Sequence, residues 1–224
     1  MINSYWPIKR EWTKDKFFET HKHLKFLIGN IPYGQIFGEQ HGIVTLNEYK
    51  LYLERMLQAP NYPEQPLYIF DTEIATKDDS LVPKENLLPS NFEIFKNVTK
   101  YYQFLLGPEN TGAPFHFHCP AANFLVYGTK KWWIYPPSKS FYSKVHPTIW
   151  LQQARKLINQ DKGQSQQPST KRSKYNFREG LNDLPFECTQ NEGDIFFIPS
   201  FWGHSIINLS ECIGVAVEFD LGDC

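Results

Sequence analysis

The chain predicts a mainly β protein, a double-stranded β-helix barrel with helices at its N-terminal side and on its flanks. Three observations lead there. The last third is a run of short apolar segments, residues 186–189, 194–198, 204–209 and 213–219, parted by turn formers such as Glu192-Gly193 and Ser210-Glu211. Short strands at close spacing with Gly/Pro turns favour a sandwich or barrel over a parallel α/β sheet. Residues 112–137, GAPFHFHCPAANFLVYGTKKWWIYPP, read as an extended His-x-His segment, a bend, an apolar strand, a glycine turn and an aromatic strand closed by two prolines. A third histidine, His204, lies far downstream in Gly193-x5-Pro199-x4-His204-x3-Asn208. A double-stranded β-helix joins such pieces: the first histidines come from one strand, the last from a strand near the chain's end, and the turns bring them together at the barrel mouth.

In chain order, residues 13–25 predict a helix, with Thr13 as its N-cap ahead of Asp15 and Phe17-Phe18. Residues 28–37 are punctuated by Gly and Pro and predict an irregular connection. Thr45 and Glu48 stand at capping-box spacing and open a second helix whose apolar face is Leu46, Tyr49, Leu53, Met56 and Leu57. Residues 1–65 thus form a helical lead-in to which no chemistry is assigned, and the barrel spans 66–219. Residues 66–71 and 100–106 are strands; the segment between them is a loop with Asp78-Asp79 and a short helix carrying Phe92 and Phe95. Residues 146–157 predict a helix outside the sheet. The polar, low-complexity stretch 161–174 (DKGQSQQPSTKRSK) predicts an exposed, disordered loop.

With 224 residues, 41% of them apolar and 16% aromatic, the chain is long enough for one well-covered core, and a single domain over 1–224 is expected. Twenty-three basic residues against twenty-four acidic ones give a net charge of −1, which does not attract a phosphate backbone or an anionic membrane. Nucleic acid and membrane are therefore not expected as partners. No apolar run approaches the roughly 20 residues needed to cross a bilayer, and the first residues lack the apolar core of a signal peptide. A soluble cytoplasmic or nuclear chain is expected as written, or one of the endoplasmic reticulum lumen had a signal peptide preceded it. Cys119, Cys188, Cys212 and Cys224 show no CxxC pair, and reduced, mostly buried thiols are expected. Asn97 and Asn208 open Asn-x-Ser/Thr triplets, used only in the secretory pathway.

In an extended segment side chains alternate, so His116 and His118 point one way and Phe115 and Phe117 the other. Joined by His204, they make three neutral nitrogen donors on one face, which leaves other metal positions open. His21, His23, His41 and His146 read as ordinary structural histidines. For the lysines after Gly128, a solvated turn pair of Lys130 and Lys131 stands open beside a buried role.

The segments PLYIFD (66–71), GAPFHFH (112–118), NFLVYGTKKWWIYPP (123–137) and EGDIFFIPSFWGHSIINL (192–209) resemble the JmjC family of cupin-type, iron(II)- and 2-oxoglutarate-dependent oxygenases. The wording is most similar to the JmjC domain-containing protein 8 group; PLYIFD and Asn123 also resemble the JmjC lysyl hydroxylase and arginine demethylase branch. The resemblance implies Fe(II), held by His116, His204 and, at the position of the usual acid, His118. It implies 2-oxoglutarate as co-substrate, its distal carboxylate on Lys130, with Tyr68 and Asn123 hydrogen-bonding to it. The expected partner is a protein or peptide whose side chain is hydroxylated, or demethylated through hydroxylation; oligomeric state is not legible.

Three departures bear on activity: His118 in place of the acid, Ala113 where relatives carry Thr, and Ala216 and Glu218 where they carry Thr and Asn. Glu218 either repels a dicarboxylate or stands in as the missing acidic ligand. The alternatives to an oxygenase are a catalytically degenerate barrel serving as a protein-binding adaptor, and a three-histidine cupin that oxidises a small molecule without 2-oxoglutarate.

Overall fold

The computed structural model describes residues 12–59, 65–77, 81–82, 87, 90–153 and 185–222. Helix α1 (Lys14–His21) leads to β1 (Lys25–Gly29), β2 (Gly42–Thr45) and helix α2 (Leu46–Gln58). Then come β3 (Tyr68–Asp71), a short helix α3 (Glu73–Lys77), β4 (Thr99–Gly107), β5 (Gly112–His116), β6 (Ala121–Tyr127) and β7 (Thr129–Tyr135). After the helical residues 147–153 the described chain resumes with β8 (Phe186–Asn191), β9 (Ile195–Ile198), β10 (Gly203–Asn208) and β11 (Cys212–Asp220). The major sheet runs β2-β1-β3-β4-β11-β6-β9, the minor sheet β5-β10-β7-β8, and all the pairings are antiparallel.

Period-two alternation sorts the side chains of both sheets. Ile69, Phe104, Leu106, Phe124, Val215, Val217 and Phe219 point out of the major sheet and form the largest core with Phe17 and Phe18 of α1 and Leu46, Tyr49, Leu53 and Met56 of α2. A smaller core, Phe115, Trp133, Tyr135 and Ile207 under Trp150, covers the outside of the minor sheet. The faces turned towards each other carry Tyr68, Gln103, Asn123 and Ala216 from one sheet and Lys130, Trp132 and His204 from the other, all lining one cavity. This is the jelly-roll barrel that the spacing predicted.

Gly128 is the corner where the chain passes from β6 in one sheet to β7 in the other. Its φ is +96°, and a Cβ there would lie 2.3 Å from the Glu211 carbonyl oxygen. Only glycine fits both conditions. The capping box of α2 forms as read: the Glu48 N–H donates to Thr45 Oγ1 at 3.2 Å, and the Thr45 N–H donates to Glu48 Oε2 at 2.7 Å.

Several expectations are corrected. Residues 25–29 and 42–45 are strands extending the major sheet, where Lys25 was expected to end a helix, 28–29 to begin an irregular connection, and no strand was expected at 42–45; the pairing of β1 with β3, and of β2 with β1, overrides weak local signals. Leu57 is 67% exposed and lies off the α2 core face. Cys188 and Cys212 are free thiols, but Cys119 is disulfide-bonded where a reduced thiol was expected; the sequence has no CxxC pair to signal it. Of the helix expected at 146–157, His146 precedes the helix, residues 147–153 are helical, and 154–157 lie outside the described residues, as do Asp78-Asp79 and the loop 161–174. Among the described residues no helix is long and apolar enough to cross a membrane.

Candidate metal centre

β5 and β10 are neighbours, with His116 opposite His204. Two residues further along β10, Ile206 pairs with Ala113, three residues back along β5, so β5 carries one extra residue. This bulge resets the alternation, and Ala113 and His116, one odd and one even, both line the cavity. Pro114, which has no N–H to give a ladder, occupies the bulge.

His118 does not share the strand with His116, as the His-x-His pattern predicted, but follows it by two residues. Its place is fixed by ties to distant elements. The Phe201 N–H donates to the His118 carbonyl at 2.9 Å, and the Tyr142 hydroxyl donates to the Phe117 carbonyl at 2.6 Å. Phe201 adopts a left-handed φ of 63°, a conformation that a bulky residue keeps only when its surroundings impose it.

The three imidazoles nevertheless converge. Ring centroids are 4.2 Å apart for His116 and His204, 4.8 Å for His118 and His204 and 5.3 Å for His116 and His118, and one ligand nitrogen of each lies within 4.8 Å of the others. Each Nδ1 faces a backbone carbonyl: Pro114 at 2.7 Å for His116, Cys119 at 2.6 Å for His118 and Trp202 at 2.9 Å for His204. A carbonyl only accepts, so Nδ1 carries a proton, and in the neutral ring Nε2 keeps the lone pair that a metal takes. This outer support is what fixes the tautomer of metal-binding imidazoles. Burial, helped by the neighbouring His118, holds His116 down to about 3; burial, then His116 and His118, holds His204 well below the ordinary histidine value. Both are neutral at pH 7, the state a metal ligand requires. The arrangement fits a divalent metal of the kind that imidazole nitrogens bind, iron(II) among them.

Deeper in the barrel, Lys130 is 1% exposed. Its Nζ donates to Asn208 Oδ1 at 2.8 Å and reaches the Tyr68 hydroxyl at 3.5 Å; among the described residues no carboxylate pairs with it. Burial pulls the Lys130 pKa down, the direction of an ammonium lacking an anion. Lys131, one step on, points out of the barrel and pairs with Glu187 at 2.8 Å, so alternation divides the two lysines between the readings left open for them. Asn123, on β6, keeps a buried Oδ1 with no hydrogen-bond partner. Tyr68 is 5% exposed, and burial pushes its phenol up. Ala113 and Ala216, the small residues at two of the departures, line this inner cavity and leave it open.

Sequence reasoning missed Asn208 and Thr111. Asn208 is fully buried; it accepts from Lys130 and donates to Thr111 Oγ1 at 2.8 Å, so it is a support for Lys130 and not an accessible sequon. Its place in the quoted Gly-Pro-His-Asn spacing was the available signal. Glu218 sits on the rim of an outer cavity of about 360 Å³ with Tyr33, Phe117, Tyr142, His116 and His118, and it is not among the converging ligand atoms.

An antiparallel jelly roll with ligand nitrogens at its mouth and a buried lysine behind them is a cupin architecture. A family model described as a cupin-like domain matches residues 2–220, and the chain belongs to that family. It is 28% identical over 229 residues to the lysine-specific demethylase JMJ21 of Arabidopsis thaliana, covering 96% of this chain and 22% of that protein. It is 27% identical to JmjC domain-containing protein 8 of Mus musculus, covering 75% of this chain and 55% of that protein. It is 28% identical to the 2-oxoglutarate and iron-dependent oxygenase JMJD4 of Danio rerio, covering 74% of this chain and 35% of that protein. The chain therefore spans about a fifth to about half the length of these curated relatives.

Proposed function

We propose that this chain, acting as one domain over 1–224, is an Fe(II)/2-oxoglutarate-dependent oxygenase of JmjC type that hydroxylates a protein side chain, or demethylates one through hydroxylation. The observation that carries it is the buried Lys130 ammonium, unpaired by any described carboxylate and lining the cavity that His116 and His204 face. A buried charge of that kind needs an anion, and a dicarboxylate entering the cavity supplies one.

His116, His118 and His204 would hold the metal through Nε2. Lys130, with Tyr68 beside it, would grip the distal carboxylate of the keto acid, and the Asn123 amide, which can turn either end towards a ligand, would lose its orphaned atom to it. Bound iron and keto acid would supply the oxygen activation. Three neutral imidazoles would leave the charge of the metal to be balanced by a dianionic co-substrate. The outer cavity, aromatic and with Glu218 on its rim, suits the cationic side chain of a lysine or arginine. Relatives named as a lysine-specific demethylase and as a 2-oxoglutarate and iron-dependent oxygenase support the same chemistry.

The measurement is succinate release from 2-oxoglutarate with Fe(II) and lysine- or arginine-containing peptides, alongside calorimetric titration of the keto acid. Binding of the keto acid with peptide-stimulated succinate release is expected. No turnover together with no keto-acid binding would sink the proposal. It would favour the adaptor reading, which His118 in the acid's place supports.

A further inference from the structure

Tyr33 lies in the lead-in between β1 and β2, where no chemistry was legible in the residues. Its φ of 60° and ψ of 11° are left-handed, a conformation rare for a bulky side chain and free for glycine. The next residue is Gly34, so the chain sets its turn with tyrosine at the strained position and spends the glycine beside it. A strained residue persists only where its surroundings hold it, and such residues cluster at functional sites.

What holds Tyr33 is the metal centre. Its ring packs on His116 at 5.4 Å between centroids and edge-on to Phe70 at 5.0 Å. Its hydroxyl accepts a hydrogen bond from Gln103 Nε2 at 3.3 Å. Phe70 and Gln103 line the inner cavity, whereas Tyr33 lines the outer one; His116 lines both. The ring therefore stands between the keto-acid chamber and the substrate mouth, against the side of a ligand histidine.

We infer that Tyr33 is a positioning residue of this site, delivered from outside the barrel to brace the His116 imidazole and to wall the inner chamber off from the mouth. The inference rests on the metal-centre reading proposed above. Its ring does the bracing, and the Gln103 bond, long at 3.3 Å, is a weak outer tie.

Tyr33→Gly and Tyr33→Phe separate this role from a merely structural one. Glycine relieves the backbone and removes the ring; phenylalanine keeps both. The readouts are Co(II) affinity and its visible absorption, taken without keto acid, together with Tm. The expected result is a Tyr33→Gly protein with Tm equal to or above the wild type and Co(II) binding weakened about tenfold or more, the scale for losing an outer support of a ligand. Tyr33→Phe is expected to stay within about twofold in Co(II) affinity, a loss far smaller than that scale. Wild-type Co(II) binding matched in affinity and spectrum by Tyr33→Gly overturns this inference alone. So does a Tyr33→Gly protein whose affinity falls only as its Tm falls. A wild-type chain that binds no Co(II) overturns the metal centre and the inference with it.

Discussion

At the scale of the residue, Lys130 separates a keto-acid site from a bare metal face. It is held by Asn208 on one side and approached by Tyr68 on the other, with no described carboxylate to neutralise it. A charge-assisted hydrogen bond contributes about 1.5–3 kcal/mol, so Lys130→Met is predicted to weaken 2-oxoglutarate binding by roughly 10- to 150-fold in calorimetry. Co(II) affinity is expected to be unchanged, because Lys130 is not one of the converging ligands. Unchanged keto-acid affinity would mean that Lys130 serves only Asn208. His116, His118 and His204 were legible because His-x-His and a distant histidine are a pattern of residue types. Tyr33 was not, because its part comes from a backbone angle and a ring contact made across the fold, and neither leaves a mark in the letters around it.

At the scale of the element, the β5 bulge decides what the site contains. Strict alternation would send Ala113 and His116 to opposite faces; the extra residue at Pro114 puts both on the cavity. The strands β4 to β11 were readable from turn formers and apolar runs, within a residue or two at their ends. β1 and β2 were not, since each is short: β1 gains its strand character from β3, far along the chain, and β2 from β1 alone. The opposite face of the major sheet carries stability. Phe104, fully buried, meets Phe17 at 5.3 Å, Trp12 at 5.6 Å and Phe26 at 5.1 Å. Phe104→Ala is predicted to cost about 3–5 kcal/mol in urea unfolding while the folded protein keeps its metal affinity, because the residue faces away from the cavity. A loss below about 1 kcal/mol would show that this core repacks freely.

At the scale of the whole molecule, the lead-in does more than precede the barrel. α1 and α2 cover the outer face of the major sheet, β1 and β2 widen it, and the turn between them brings Tyr33 to the mouth. The minor sheet brings two histidines and the lysine, and the major sheet brings Tyr68, Asn123 and the rim carboxylate of Glu218; neither sheet alone has a site. The central claim is that His116, His118 and His204 jointly hold one divalent metal. Crystals grown with Fe(II) under anaerobic conditions and measured at the iron absorption edge test it most directly. The account predicts a single anomalous peak about 2.0–2.2 Å from the Nε2 atom of all three histidines. An empty site, or a peak that leaves His118 uncoordinated, would contradict it.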